Sequence, residues 1–362
     1  MSIHCWVASS SGGRFPIQLA TISEACEILK KPDICLSTSG GNLAIFMTLA
    51  GNFTANGIWR ICNYINSSLF SGSWWPKYLN FLSSTIIGIV KGSLYKSGKG
   101  GVDLMNHIFT QHNITRMEIW TGTTESESGK GQLFCNLDQK DSILSKAFFD
   151  HRLKNYLPHK YLSGNIEMIA KASTASASIP IFIPATQIGG KNFSDGGTSG
   201  YSPLTPLADS LDYIAENKKL HITYFSSFDV ESECDSKQHV NIVQNTDKTI
   251  ERILKMLAIT DRLSGINLVK KLSNTHQIQY FEGKCDTEIL KLINKNLEYS
   301  QRSFFELYRK DKIELDITNF KPIDIHEILK DTRKNYYFRL WLATSQTNKE
   351  HINNIYERFT YC

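Results

Sequence analysis

A handful of small residues between apolar runs carries the chemistry this sequence has to offer. In "ICLSTSGGN", residues 34–42, Ser39 sits among Ser37, Gly40 and Gly41, between a strand-like run and the helix-like "LAIFMTLA". Three uses fit such a stretch: a plain reversing turn, a phosphate cradle, or a serine nucleophile raised on a strand-to-helix elbow. The elbow demands small residues two before and two after the serine, because larger side chains would collide. Ser37 and Gly41 meet that demand, and the next helix would offer its N-terminal dipole to developing negative charge. A Walker-type loop needs a Gly-Lys-Ser/Thr ending, which is absent here and out of frame in "KSGKGG" at 96–101.

Acyl transfer by a serine needs two further parts. One is a set of backbone N–H donors for the oxyanion. "SSSGGR", residues 9–14, offers Gly12 and Gly13, where the backbone can approach a substrate unobstructed. The same stretch is also an ordinary strand–helix joint. The other part is a base. Asp195 in "FSDGGTSGYSP" is a candidate, although Asp-Gly-Gly after a strand is by itself a turn signal. A triad in the order Ser, Asp, His would draw on His221, His239, His276, His326 or His351, none of them in a Gly-rich loop. A Ser–Asp dyad, in which the carboxylate takes the proton directly, is therefore the attractive alternative.

The surrounding pattern is suited to positioning these residues. "IHCWVAS" (3–9) reads as a buried strand, 17–31 as a helix, 33–38 as a second strand and 42–51 as a second helix. Strand–helix–strand–helix with Gly-rich joints predicts an α/β fold on a mostly parallel sheet, whose sites form at the carboxyl ends of the strands. Segments 117–123 and 131–137 predict a hairpin, 165–178 a helix, 179–207 a strand-and-loop region and 221–227 another strand. The aromatic segment 57–98 reads as core, or as a lid or acyl-binding wall. Beyond 230 the chain turns to Lys-rich amphipathic helices around one more expected strand, 312–318.

Bulk properties narrow the classes. With 41% hydrophobic and 21% charged residues, the 362-residue chain has an ordinary globular balance. A net charge of +5 with scattered Lys and Arg does not point to nucleic acid, and leaves a weak pull toward anionic membrane surfaces. The eight cysteines form no zinc-spaced cluster and are expected to be reduced structural thiols, so neither metal nor cofactor is called for. The N-terminus lacks the pattern of a signal peptide, and the most apolar stretch, 78–90, is too short to span a bilayer. A cytoplasmic protein, peripheral at membranes, is the expectation.

Three segments in order resemble the patatin-like phospholipase family. "SSSGGRF" resembles its glycine-rich oxyanion motif and "STSGG" its GxSxG elbow. "AKASTASASIPIFIPATQIGGKNFSDGGTSGYSP" resembles its small-residue block leading into Asp-Gly-Gly. The resemblance covers roughly residues 3–228. It implies a three-layer α/β/α fold and a Ser–Asp dyad lipid acyl hydrolase of phospholipase A or lysophospholipase type. Ser39 would be the nucleophile, Asp195 its base, and Gly12, Gly13 and Arg14 the oxyanion loop. The substrate implied is a phospholipid or other acyl-ester lipid. The chain departs from the family pattern at Ser10, Ser11, Phe15, Ser37 and Tyr201, where glycines or, at 201, an asparagine are usual. The serines at 10 and 11 in the oxyanion loop motivate a rival reading, a catalytically silent lipid- or protein-binding module on the same fold. The expected organisation is an acyl-hydrolase core over 1–230 and a mainly helical extension over 231–362.

Overall fold

Apolar runs between glycine joints become the strands of one sheet, because buried parallel strands must be apolar on both faces. The computed structural model describes residues 2–11, 15–26, 29–49, 99–111, 117–145, 158–180, 183–199, 203, 219–226, 277–282, 341 and 344. The aromatic segment 57–98 and the expected strand 312–318 lie outside them, as does most of the chain beyond 230.

The strands are β1 (Ser2–Ala8), β2 (Ile34–Thr38), β3 (Glu118–Glu125), β4 (Gly131–Cys135), β5 (His159–Tyr161), β6 (Thr186–Ile188), β7 (Lys191–Asp195), β8 (Lys219–Ser226) and β9 (Gln277–Glu282). The main order is β5-β4-β3-β2-β1-β8-β9, with β7 on β3 and β6 on β7. The run from β9 to β3 is parallel throughout. Antiparallel pairing begins at the β3–β4 hairpin. The helices are α1 (Phe15–Cys26), α2 (Gly40–Leu49), α3 (Lys99–Gln111) and α4 (Ile166–Ser176). The protein is thus a mostly parallel central sheet with flanking helices, a three-layer α/β/α arrangement.

Alternation along the strands divides the core in two. Trp6, Cys35, Ile119, Phe134 and Phe225 face one way and pack under α1 to α4. Cys5, Ile34, Leu36, Trp120, Ile222 and Tyr224 face the other way and form a second buried cluster with Leu144. Because β1, β2 and β3 follow one another in the same direction across the sheet, right-handed crossovers put α1 and α2 on the same face. That is the face the first cluster occupies.

Three features differ from the expectations or add to them. The first helix is described over Phe15–Cys26, and residues 29–31, expected to continue it, are not helical. The stretch at 99–101, part of the "KSGKGG" that is out of frame for a phosphate loop, opens α3. A Cβ on Gly101 would stand 2.9 Å from Thr174 Cγ2, so glycine is what lets α3 cross close to α4. Finally, the sheet does not stop at residue 230. The edge strand β9 comes from 277–282, in a region read as helical, and Trp341, 3% exposed, is buried in the first core cluster. No helix among the described residues is long and apolar enough to cross a membrane.

Candidate active site

The elbow at Ser39 follows from two abutting elements. β2 ends at Thr38 and α2 begins at Gly40, which leaves one residue to make the whole turn. Ser39 makes it with a φ of +58°, the left-handed region. For a residue with a Cβ that conformation costs about 1–2 kcal/mol and must be held by its surroundings. The Ser39 N–H donates to Ser176 Oγ at 2.9 Å, and its carbonyl accepts from Asn42 N–H at 3.0 Å. A Cβ on Gly41 would fall 2.3 Å from the Ser9 carbonyl oxygen, so only glycine lets the first turn of α2 sit on the end of β1. The small residue that the elbow pattern requires is required here by backbone contact.

Ser37, the elbow's departure from glycine, is accommodated by a buried polar network. Asn42 Nδ2 donates to Ser37 Oγ and to Thr121 Oγ1, both at 2.9 Å. Asn42 Oδ1 accepts from Ser173 Oγ. All four residues are buried and α2, β2, β3 and α4 each supply one, so the network locks the elbow to its neighbours. Among described non-glycine residues, positive φ occurs only at Ser39 and Ser163. Ser10, Ser11 and Ser37 therefore stand at backbone positions where serine is no more strained than glycine. Phe15, another departure, opens α1 as a core residue only 4% exposed.

Asp195 reaches the elbow because β7 takes over an edge of β3. β2 pairs with β3 as far as Thr38 opposite Gly122, and β7 takes the next rung, Asp195 opposite Thr123. Since β4 occupies the other edge, at Gln132 opposite Thr123, β7 lies on the side that β2 has just left. Ser39 Oγ donates to Asp195 Oδ2 at 2.6 Å, with both side chains buried. The other carboxylate oxygen, Oδ1, accepts from the Gly197 N–H at 2.8 Å. The aspartate backbone is equally fixed. Its N–H donates to the Ser178 carbonyl at 2.9 Å, and its carbonyl accepts from Thr124 Oγ1 at 2.9 Å and Thr198 Oγ1 at 2.6 Å.

The electrostatics suit a base at neutral pH. Burial pushes the Asp195 carboxyl up to about 7, against the opposing pull of the hydrogen bonds from Ser39 and Gly197. The pair is therefore a hydroxyl hydrogen-bonded to a carboxyl group that is neither permanently charged nor permanently neutral near neutral pH. Cys5 and Cys35, free thiols in β1 and β2, are instead held in the unreactive protonated form by burial.

Of the residues expected from sequence, Ser39 and Asp195 are brought into direct contact. Gly12, Gly13 and Arg14 lie outside the described residues, as does Tyr201. Ser10, just before them, abuts the aspartate turn: a Cβ on Gly197 would stand 2.8 Å from Ser10 Oγ. His221 is the one triad candidate among the described residues. It stacks on His4 with ring centroids 4.8 Å apart, four rungs from Ala8 opposite Phe225 at the carboxyl end of β1. It stands toward the wrong end of the sheet to serve Ser39. The residues that sequence reasoning missed are Asn42, Thr121, Ser173 and Ser176. The helix signal at 165–178 and its small-residue bias were visible, but not that two of its serines turn inward to the elbow.

A mostly parallel sheet that carries a serine on a strand-to-helix turn has that serine at the carboxyl ends of its strands, where α/β folds place their sites. The model of the patatin-like phospholipase family matches residues 7–208, more than half the chain, and the chain belongs to that family. Comparison with curated proteins returns no match. Membership supports lipid acyl hydrolysis as the general activity and a lipid as the class of substrate.

Proposed function

We propose that the protein is a phospholipase A- or lysophospholipase-type acyl hydrolase working through a Ser39–Asp195 dyad. Ser39 Oγ attacks the acyl carbon of a lipid ester as its proton passes to Asp195 Oδ2. The tetrahedral intermediate collapses, the C–O bond to the alcohol breaks, and the leaving alkoxide takes the proton from Asp195. Water then gives a proton to the same carboxylate and adds to the acyl-enzyme. Collapse releases the fatty acid and returns the proton to Ser39. In this reading Gly12, Gly13 and Arg14 supply the oxyanion donors, and the protein meets its substrate at a membrane surface.

The observation that carries the reading is the 2.6 Å hydrogen bond from Ser39 Oγ to Asp195 Oδ2, made with no histidine between them. It supplies the geometry that a base must have toward the proton it removes. Hydrolysis of p-nitrophenyl butyrate, and fatty-acid release from phosphatidylcholine in mixed micelles, test it. Ser39→Ala should lower both rates by about 10³-fold or more while the fold is kept. A folded Ser39→Ala protein at the wild-type rate would remove Ser39 as nucleophile. The silent-module rival was motivated by the serines at 10 and 11, and with ordinary backbone at both that motive loses its force.

A further inference from the structure

The hydroxyl of Ser176 joins three elements at once. The hydroxyls of α1 and α2 turn back on their own helix: Thr21 to Ile17, Ser23 to Leu19, Thr48 to Ala44; in α4, Ser173 instead reaches Asn42. Ser178, just past α4, turns back to Thr174 as the hydroxyls of α1 and α2 do. Ser176, fully buried, also leaves its helix. Its proton goes to the Gly122 carbonyl at 2.6 Å, and its oxygen accepts the Ser39 N–H at 2.9 Å. With the single proton committed to Gly122, the remaining lone pairs have a fixed direction, toward the elbow. Gly122 is the β3 residue opposite Thr38, so one hydroxyl ties α4, β3 and the elbow together. Two residues on, the Ser178 carbonyl takes the Asp195 N–H at 2.9 Å.

We propose that Ser176 is a positioning residue for the dyad. Its hydroxyl holds the left-handed backbone of Ser39 in the pose that delivers Oγ to Asp195, while the same chain corner, residues 176–178, holds Asp195. The inference rests on the Ser39–Asp195 reading above and deepens it. It has a further consequence. The Ser39 N–H is occupied by Ser176, so the oxyanion has to be met by other N–H groups.

The test is Ser176→Ala, assayed with p-nitrophenyl butyrate between pH 5 and 9 beside the wild type. Loss of the tether should lower kcat by roughly 10- to 100-fold, the scale of a small misplacement of reacting atoms, with KM changed less than about twofold. The midpoint of the acidic limb should rise, because a slackened bond from Ser39 no longer opposes the effect of burial on Asp195. Ser176→Thr, which keeps the hydroxyl, should recover most of the loss in kcat. A folded Ser176→Ala protein with unchanged kcat and midpoint overturns the proposal. If that variant does not fold, the Ser39 amide in 15N-serine-labelled wild-type protein decides: slow hydrogen exchange supports the tether, and exchange at the rate of a free amide overturns it. The two claims fail separately. A wild-type rate in Ser39→Ala removes the dyad itself, whereas a dead Ser39→Ala beside an unimpaired Ser176→Ala removes only the tether.

Discussion

Thr38 and Asp195 occupy consecutive rungs on one edge of β3, Thr38 opposite Gly122 and Asp195 opposite Thr123. They come from strands that run in opposite directions and are separated by most of the folded core in sequence. The elbow residue after Thr38 therefore turns out at the height where the aspartate arrives. The 2.6 Å contact between Ser39 and Asp195 is a property of sheet register before it is a property of side chains. Gly196 shows how closely this is built, since a Cβ there would stand 2.3 Å from the Gly122 carbonyl oxygen.

The first prediction concerns pH. In the proposed dyad Asp195 accepts the Ser39 proton only when ionised, and burial lifts its carboxyl to about 7. With a wild-type dyad, kcat/KM should rise about tenfold per pH unit below that value and level off above it. A pH series on p-nitrophenyl butyrate from 5 to 9 measures this. A rate flat from pH 5 to 8 would speak against Asp195 as the base.

Stability should move the other way. A carboxyl raised on folding binds its proton more tightly in the folded state, so its contribution is full below the unfolded value of 3.8 and is lost as pH rises through about 7. Asp195→Asn keeps acceptor and donor atoms but carries no charge. That variant should be inactive, yet more stable than wild type by about 2–4 kcal/mol at pH 8.5, with the gain vanishing near pH 4. Urea unfolding at the two pH values checks it.

Close backbone approach at the elbow gives a third expectation. In Gly41→Ala the added methyl meets the Ser9 and Ala8 carbonyl oxygens at 2.3 and 2.8 Å. Neither can swing aside as a side chain would, so α2 must lift from β1. The cost should be about 3 kcal/mol or more, read as a fall in melting temperature with loss of activity. Wild-type stability would show that the elbow is looser than described.

Ser37 is expected to be structural only. Ser37→Gly removes one of the two hydrogen bonds that Asn42 Nδ2 makes, and leaves Thr121 as its partner. Stability should drop by about 1 kcal/mol while kcat stays within a factor of two or so. A large loss of rate in a folded variant would give Ser37 a role in the reaction.

The elbow and the Asp-Gly-Gly turn were legible in sequence because both are short-range demands for small residues, imposed by backbone that passes close by. Gly41 and Gly196 carry that signal directly. The strand–helix alternation was legible because β1 and β2 are apolar on both faces and are joined by glycine-rich turns. Less could be read where the cause is distant. Nothing local in "KGGVDLMNHIFTQ" says that its glycines serve a helix crossing with Thr174. Nothing in "QIQYFE" says that a neighbour, β8, awaits it at the sheet edge. Asn42, Ser173 and Ser176 are ordinary polar residues until three-dimensional packing gathers them around the elbow.

Covalent modification by a fluorophosphonate, located by tandem mass spectrometry, tests the central claim most directly. The reagent reacts with a serine that a neighbouring base has activated and leaves a phosphonyl group on its oxygen. The dyad account predicts one adduct per chain, on Ser39, at a rate that rises through pH 7 and is abolished in Asp195→Asn. A well-folded protein that takes up no reagent, or takes it up on a serine other than Ser39, would contradict it.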